Sequence, residues 1–276
     1  MKLSELLRKH GVHLKKRLGQ HFLVSESILA SIADAADLGD QDTVVEIGPG
    51  VGLLTRHLAQ RAGRVAAVEL DEALIPALQE NLEGFQNVEV IHGNALGFTA
   101  REIVGESARQ GYKVVANLPY YITSAAIRHF LEDEFPPEMM VLTVQWEVAK
   151  RITARPPEMS LLSVSVQVYG EPKLLFKIPP GAFVPPPKVD SGVVAIERRT
   201  EPIVPQEEAD WFFRVVRAGF SQRRKQIHNS LRGGLRLGDD EVKAALLSVG
   251  ISPSRRPGTL TPEEWLALSR ALSQRI

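Results

Sequence analysis

The stretch with the most chemical content is Asn117-Leu118-Pro119-Tyr120. It follows the apolar run Val114-Val115-Ala116 and precedes Ile122-Thr123-Ser124, so it reads as a buried strand ending abruptly in an amide, a proline and an aromatic ring. An open α/β sheet places its chemistry at the carboxyl ends of its strands, which suits a reacting centre here. Taken by itself, the tetrapeptide fits a strand-terminating turn with a tyrosine in the core equally well.

The strands before it would have to supply the rest of a site. Thr43-Val44-Val45-Glu46-Ile47 reads as a strand ending in Gly48-Pro49-Gly50-Val51-Gly52, with Leu53, Leu54, His57 and Leu58 continuing at helical spacing. Strand, glycine turn and helix in this order let backbone approach a ligand closely. A pyrophosphate-binding dinucleotide loop has the pattern G-x-G-x-x-G, whose third glycine would fall at Leu53. The pattern here is G-x-G-x-G with Glu46 ahead of it, an arrangement suited to S-adenosylmethionine, which has no phosphate to cradle. A tight structural turn is the alternative. The next strand, Arg64 to Val68, ends in Glu69-Leu70-Asp71, and Glu69 lies 21 positions after Gly48 (69 − 48). That is close to the ~20 expected of an acid that accepts from both ribose hydroxyls. Asp71 reads instead as the N-cap of the helix through Leu74, Ile75 and Leu78. A third strand, Val88 to Ile91, leads to Gly93-Asn94, where Asn94 can meet an adenine edge or simply serve the turn.

Further along, Met139 to Val144 and Leu161 to Tyr169 both read as strands. Phe183-Val184-Pro185-Pro186-Pro187-Lys188-Val189-Asp190-Ser191 then runs into the strand Gly192 to Ile196. A proline run is stiff, so Phe183 is either held in one place for a ligand or plugged into the core. Glu201-Pro202-Ile203-Val204-Pro205 marks a composition shift, which divides the chain into 1–200 and a helical 201–276. In the latter, Phe212, Val216, Phe220, Ile227 and Leu231 share one helical face, and Arg214, Ser221, Lys225, His228 and Arg232 share the other. At the amino end, Ser25 is the expected N-cap of a helix through Ile28, Leu29 and Ile32, and near the carboxyl end Thr261, Pro262 and Glu264 spell a helix start.

The 276 residues carry 33 Lys+Arg against 33 Asp+Glu, a formal net charge of +0, so a protein that merely coats nucleic acid is disfavoured. The basic residues bunch instead, notably at Lys15-Lys16-Arg17 and Arg223-Arg224-Lys225, as solvated charge or as phosphate contacts. There is no cysteine, which excludes disulfides, thiolate metal sites and cysteine nucleophiles and suits a reducing cytoplasm. The seven histidines show no metal-ligand spacing, and no metal is expected. No apolar run is long enough to span a bilayer, and no signal-peptide core opens the chain. Trp146, Trp211 and Trp265 are expected to pack rather than stack on bases.

Six of these stretches, in this order, resemble the ribosomal RNA adenine dimethyltransferase family, small-subunit branch: Arg17 to Leu23, Val45 to Gly50, Glu69 to Asp71, Asn117 to Tyr120, Phe183 to Ser191, and Phe220 to Lys225. Asn-Leu-Pro-Tyr is also one form of the (Asn/Asp)-Pro-Pro-Tyr motif of amino-group methyltransferases. The resemblance implies an α/β fold, a Rossmann-like S-adenosylmethionine-dependent methyltransferase sheet with a small helical C-terminal domain. It implies dimethylation of N6 on two adjacent adenosines near the 3′ end of small-subunit (16S) ribosomal RNA, on a pre-ribosomal small subunit. A cytoplasmic protein is expected, with a monomer as the working expectation. By motif, His21, Leu23, Gly48, Gly50, Glu69, Asn94 and Asn117 would hold the cofactor. Asn117, Leu118, Pro119, Tyr120 and Phe183 would face the target base. Lys15, Lys16, Arg17, Arg223, Arg224 and Lys225 would hold RNA phosphates. His21 and Asn94 stand where the family commonly has Asn and Asp, and Tyr121 where Asn is common. Two other readings fit the same resemblance: a large-subunit methyltransferase of the antibiotic-resistance type, and a non-catalytic RNA-binding assembly factor. A nicotinamide oxidoreductase is disfavoured by the glycine spacing.

Overall fold

The computed structural model describes residues 3–12, 20–222 and 224–273. Among these, nine strands occur: β1 (Phe22–Leu23), β2 (Thr43–Ile47), β3 (Arg64–Glu69), β4 (Val88–His92), β5 (Lys113–Asn117), β6 (Met139–Gln145), β7 (Gly170–Ile178), β8 (Phe183–Val184) and β9 (Ser191–Arg198). Seven form one sheet in the order β4-β3-β2-β5-β6-β9-β7. The pairs β3–β4, β2–β3, β2–β5 and β5–β6 are parallel, whereas β9 runs antiparallel to β6 with Gln145 opposite Ser191. This is a mostly parallel α/β sheet of the expected Rossmann-like kind. Parallel strands covered on both faces read as unbroken apolar runs. That is why Val44-Val45, Val65-Ala66-Ala67-Val68 and Val114-Val115-Ala116 are all buried. The direction of strand addition reverses between β2 and β5, which opens a crevice at their carboxyl ends. The Gly48 turn, Glu69, Asn94 and Asn117 all follow or end strands at that edge.

The chain forms two compact units, Met1–Ala149 with Lys173–Arg198, and Lys150–Pro172 with Arg199–Ile276. The second thus draws on residues that the composition shift near Glu201 assigns to the first. Leu161 to Tyr169 explains the difference and corrects the expected strand, because residues Leu161–Gln167 are a helix. The alternation Ser163-Val164-Ser165-Val166 mimics a strand, but Ser160 accepts the Ser163 N–H at 3.2 Å and caps a helical turn. Every side chain from Leu162 to Gln167 is buried, so alternation had no solvent face to express. Val164 and Val168 join Phe212, Val216, Phe220, Ile227 and Leu231 in one apolar cluster. The last five do share a buried face, although on two helices, Ala209–Phe220 and Ile227–Leu235, rather than one.

Caps follow the sequence with one exception. Thr261 accepts the Glu264 N–H at 3.2 Å while Glu264 accepts the Thr261 N–H at 2.9 Å, and Asp71 accepts the Ala73 N–H. Ser25 occupies the cap position of the helix Glu26–Asp34 but makes no side-chain cap bond; its hydroxyl lies 3.3 Å from that of Ser27. Trp265 is fully buried, and Trp211 donates to the Ser269 carbonyl at 2.7 Å.

Candidate active site

The carboxyl-edge crevice is a cavity of about 250 Å³ within the first unit, near the small end of organic-ligand sites and far larger than an ion needs. Its floor is the turn after β2. Gly48, Gly50 and Gly52 all have positive φ, +67°, +62° and +83°, which side-chain-bearing residues rarely adopt. At Gly50 an added Cβ would also stand 2.7 Å from the Phe22 ring, whereas at Gly48 it would enter open space over the cavity floor.

Glu69 ties this floor to the rest of the wall. One carboxylate oxygen accepts the Gly50 N–H at 2.9 Å and the other the Asp71 N–H at 2.8 Å. Each oxygen has a second lone pair, so both remain able to accept from a diol. Burial raises the Glu69 pKa, and the two backbone N–H groups oppose that rise. Asp71 in turn accepts from the Gln20 side chain at 2.9 Å, which brings residues 20–23 over the floor.

Sequence reasoning missed the role of Glu46. Glu46 is 2 % exposed, lines the cavity and has one buried carboxylate oxygen with no hydrogen-bond partner among the described residues. Burial, with a smaller push from Glu69, raises its pKa to about 8; Thr55 lies close enough to lower it somewhat, yet its hydroxyl makes no well-formed hydrogen bond. The signals in the sequence were its place ahead of the glycine turn and an acid in a mostly apolar strand.

Asn117 ends β5 at the cavity wall. Its side-chain NH2 donates to the His21 carbonyl at 3.1 Å, so the carbonyl oxygen of the amide is the group left to accept. The Leu118 N–H continues the sheet by donating to the Thr143 carbonyl at 3.2 Å, with the Leu118 side chain buried. Pro119 and Tyr120 follow in a tight turn, and the half-buried Tyr120 ring stacks on His21 with centroids 6.0 Å apart and planes at 26°. The Tyr120 hydroxyl lies 2.8 Å from that of Ser191; burial raises its pKa. Tyr121 is exposed.

The proline segment closes the same wall. Its β8 pairs antiparallel with β1, placing Phe183 opposite Leu23 and Val184 opposite Phe22. The His21 imidazole N–H donates to the Pro185 carbonyl at 2.7 Å. Phe183 is 3 % exposed in a cluster with Leu23 and Leu29, as a core residue would be, and it also lines the cavity. Asn94 also lines the cavity, and its side-chain oxygen accepts the Leu96 N–H at 3.1 Å, the bond of a turn residue. Among the expected RNA-contacting residues, Arg224 and Lys225 are exposed, and Lys15, Lys16, Arg17 and Arg223 lie outside the described residues. No group of acids and histidines suited to a metal occurs among the described residues.

Residues 11–274 match the family described as ribosomal RNA adenine dimethylase. The chain belongs to this family. It is 48% identical over 266 residues to a ribosomal RNA small subunit methyltransferase A of Dehalococcoides mccartyi, covering 96% of this chain and 90% of that one. A protein of the same name from Moorella thermoacetica is 47% identical over 275 residues, covering 97% and 95%. Among solved structures, a dimethyladenosine transferase from Plasmodium falciparum superposes with a TM-score of 0.74 at 25% identity, covering 90% of this chain and 96% of that one. The 23S rRNA methyltransferase ErmE superposes with a TM-score of 0.72 at 32% identity, covering 92% and 100%. The chain is therefore a methyltransferase of the adenine dimethylase family, and its cavity is the place to look for the chemistry.

Proposed function

We propose that this methyltransferase uses S-adenosylmethionine to dimethylate N6 of two adjacent adenosines near the 3′ end of small-subunit ribosomal RNA, as a cytoplasmic monomer acting on an assembling subunit. The observation that carries the reading is the Asn117 amide, whose NH2 is committed to His21 so that its oxygen is the acceptor offered at the wall. The adenine N6 lone pair is delocalised into the ring, so the amine is a poor nucleophile. Acceptors aimed at its two hydrogens, the Asn117 side-chain oxygen and the Leu118 carbonyl, favour a pyramidal nitrogen with a localised lone pair. Tyr120 and Phe183 would clamp the extruded base.

The residues at the floor fit the cofactor. Gly48 leaves open the space a Cβ would fill, and Glu69 retains acceptor capacity for two ribose hydroxyls. His21 and Leu23 would cover it, with Asn94 at the base edge. When bound, S-adenosylmethionine supplies an electrophilic methyl on a good leaving group. The chain's own contribution is then mostly placement of the amine in line with that methyl. Arg224 and Lys225, with Lys15, Lys16, Arg17 and Arg223, would hold flanking phosphates of a single-stranded loop.

Asn117→Ala is expected to abolish methyl transfer to unmethylated small subunits while leaving cofactor binding measurable. Transfer at near the parent rate would remove Asn117 from its role. The likeness to ErmE supports a second reading, transfer to large-subunit RNA. Mapping the methylated positions after reaction with both subunits separates the two.

A further inference from the structure

Ser191 closes the proline segment and opens β9, it is fully buried, and it is absent from the cavity wall. Its hydroxyl nevertheless meets that of Tyr120 at 2.8 Å across 71 positions of chain. We propose that Ser191 is a positioning residue for methyl transfer, acting through the Tyr120 hydroxyl to hold the ring that clamps the target base. The inference rests on the proposed clamp role of Tyr120.

The geometry explains why such an anchor is needed. Tyr120 opens a three-residue turn, Tyr120–Ile122, which offers little backbone rigidity of its own. The ring is tethered to that turn at its Cβ end only. A hydrogen bond at the far end fixes its long axis, leaving rotation about that axis, and the His21 stack restrains the rotation. Ser191 is a firm point to fix it to. It sits opposite Gln145 in the β6–β9 ladder, and the carbonyl of its neighbour Asp190 accepts the Trp146 N–H at 3.0 Å. The ring is therefore referenced to the central sheet, which also carries Asn117. A clamp and an acceptor that must meet one adenine share one frame.

Hydroxyl pairs have a characteristic response to substitution. Removing one partner leaves the other buried and unsatisfied, whereas removing both is nearly neutral. Single-turnover transfer at saturating cofactor and RNA is expected to slow about 10-fold in Ser191→Ala. Tyr120→Phe, which keeps the ring and leaves the buried serine untouched, should slow it similarly. In the Tyr120→Phe background, Ser191→Ala should then cost nothing further. Titration with S-adenosylhomocysteine should give parent affinity in all three, and melting curves verify that they fold. Additive losses, parent rates in both single variants, or a loss of rate matched by a loss of cofactor affinity would each overturn the proposal. A parent rate in Tyr120→Ala would instead overturn the clamp itself, so the two failures are distinguishable.

Discussion

The two walls of the cavity are built in opposite ways. The floor is local: Gly48 to Gly52 is a single turn between a strand and its helix, and one carboxylate, Glu69, pins it by a bond to Gly50. The aromatic wall is assembled from three distant segments, 20–23, 117–120 and 183–191, joined by His21 to Pro185, Asn117 to His21 and Tyr120 to Ser191. The floor's shape is backbone held at positive φ, so a side chain added at any of its three glycines strains it, and at Gly50 and Gly52 it also meets a neighbour. The wall is an arrangement of side chains, so its fine geometry depends on polar contacts that can be removed one at a time. The first is a part that breaks; the second is a part that can be detuned.

The largest effect should therefore come from the floor. Gly50→Ala places a methyl 2.7 Å from the Phe22 ring in a residue with φ of +62°. Left-handed strain of roughly 1–2 kcal/mol adds to roughly 1–3 kcal/mol of overpacking, enough to lower the melting temperature by about 5 °C or more. Because Phe22 is in β1, the displacement also reaches the β1–β8 pair, and S-adenosylhomocysteine binding should weaken more than ~10-fold. Calorimetry and a melting curve on one preparation test both, and a variant that melts and binds like the parent would show the floor to be as adjustable as the wall.

This contrast also decides what the sequence could reveal. Glycine spacing, the acid at the end of β3 and the abrupt Asn117-Leu118-Pro119-Tyr120 terminus are local patterns, and each appears in the structure at the strand end where it was expected. The pairing of Leu23 with Phe183 and of Tyr120 with Ser191 needs contact between segments 160 and 71 positions apart (183 − 23 and 191 − 120), which no local pattern encodes. Leu161–Gln167 failed for the opposite reason: its alternation was real, but burial on every side removed the meaning of alternation. Glu46 was read as a flank of the glycine turn, because an acid in an apolar strand shows its charge but not its lack of partners.

Glu46 provides the next test. With its pKa raised to about 8 against an ordinary 4.5, the folded protein binds a proton that the unfolded chain has released across that interval. The unfolded state therefore binds fewer protons, and stability must fall as pH rises from about 4.5 through about 8. The slope from this group is at most about 1.4 kcal/mol per pH unit. Melting temperatures of the ligand-free protein between pH 6 and 9 should decline more steeply than those of Glu46→Gln, in which the proton is permanently mimicked. Glu69 has a raised pKa too and contributes the same sign to both proteins, so the difference between the two curves isolates Glu46. Parallel curves would mean that the floor carries no buried proton at this position.

The smallest effect is expected where floor and ligand meet at Asn94. Its side-chain oxygen already accepts the Leu96 N–H at 3.1 Å, and the other end of the amide can only donate. An adenine amino group there would share that one neutral oxygen through its second lone pair, whereas a carboxylate offers it a charged oxygen of its own. Asn94→Asp keeps one oxygen on the Leu96 N–H and offers the second to the amino group. Binding of S-adenosylhomocysteine should tighten by roughly 3–10-fold, the worth of one net hydrogen bond. The gain should be absent for the inosine counterpart, whose base presents an oxygen where adenine has the amine and would repel a carboxylate. Equal tightening of both compounds would show that the aspartate acts through the turn and not through the base, and weakened binding of both would place the cofactor's base elsewhere.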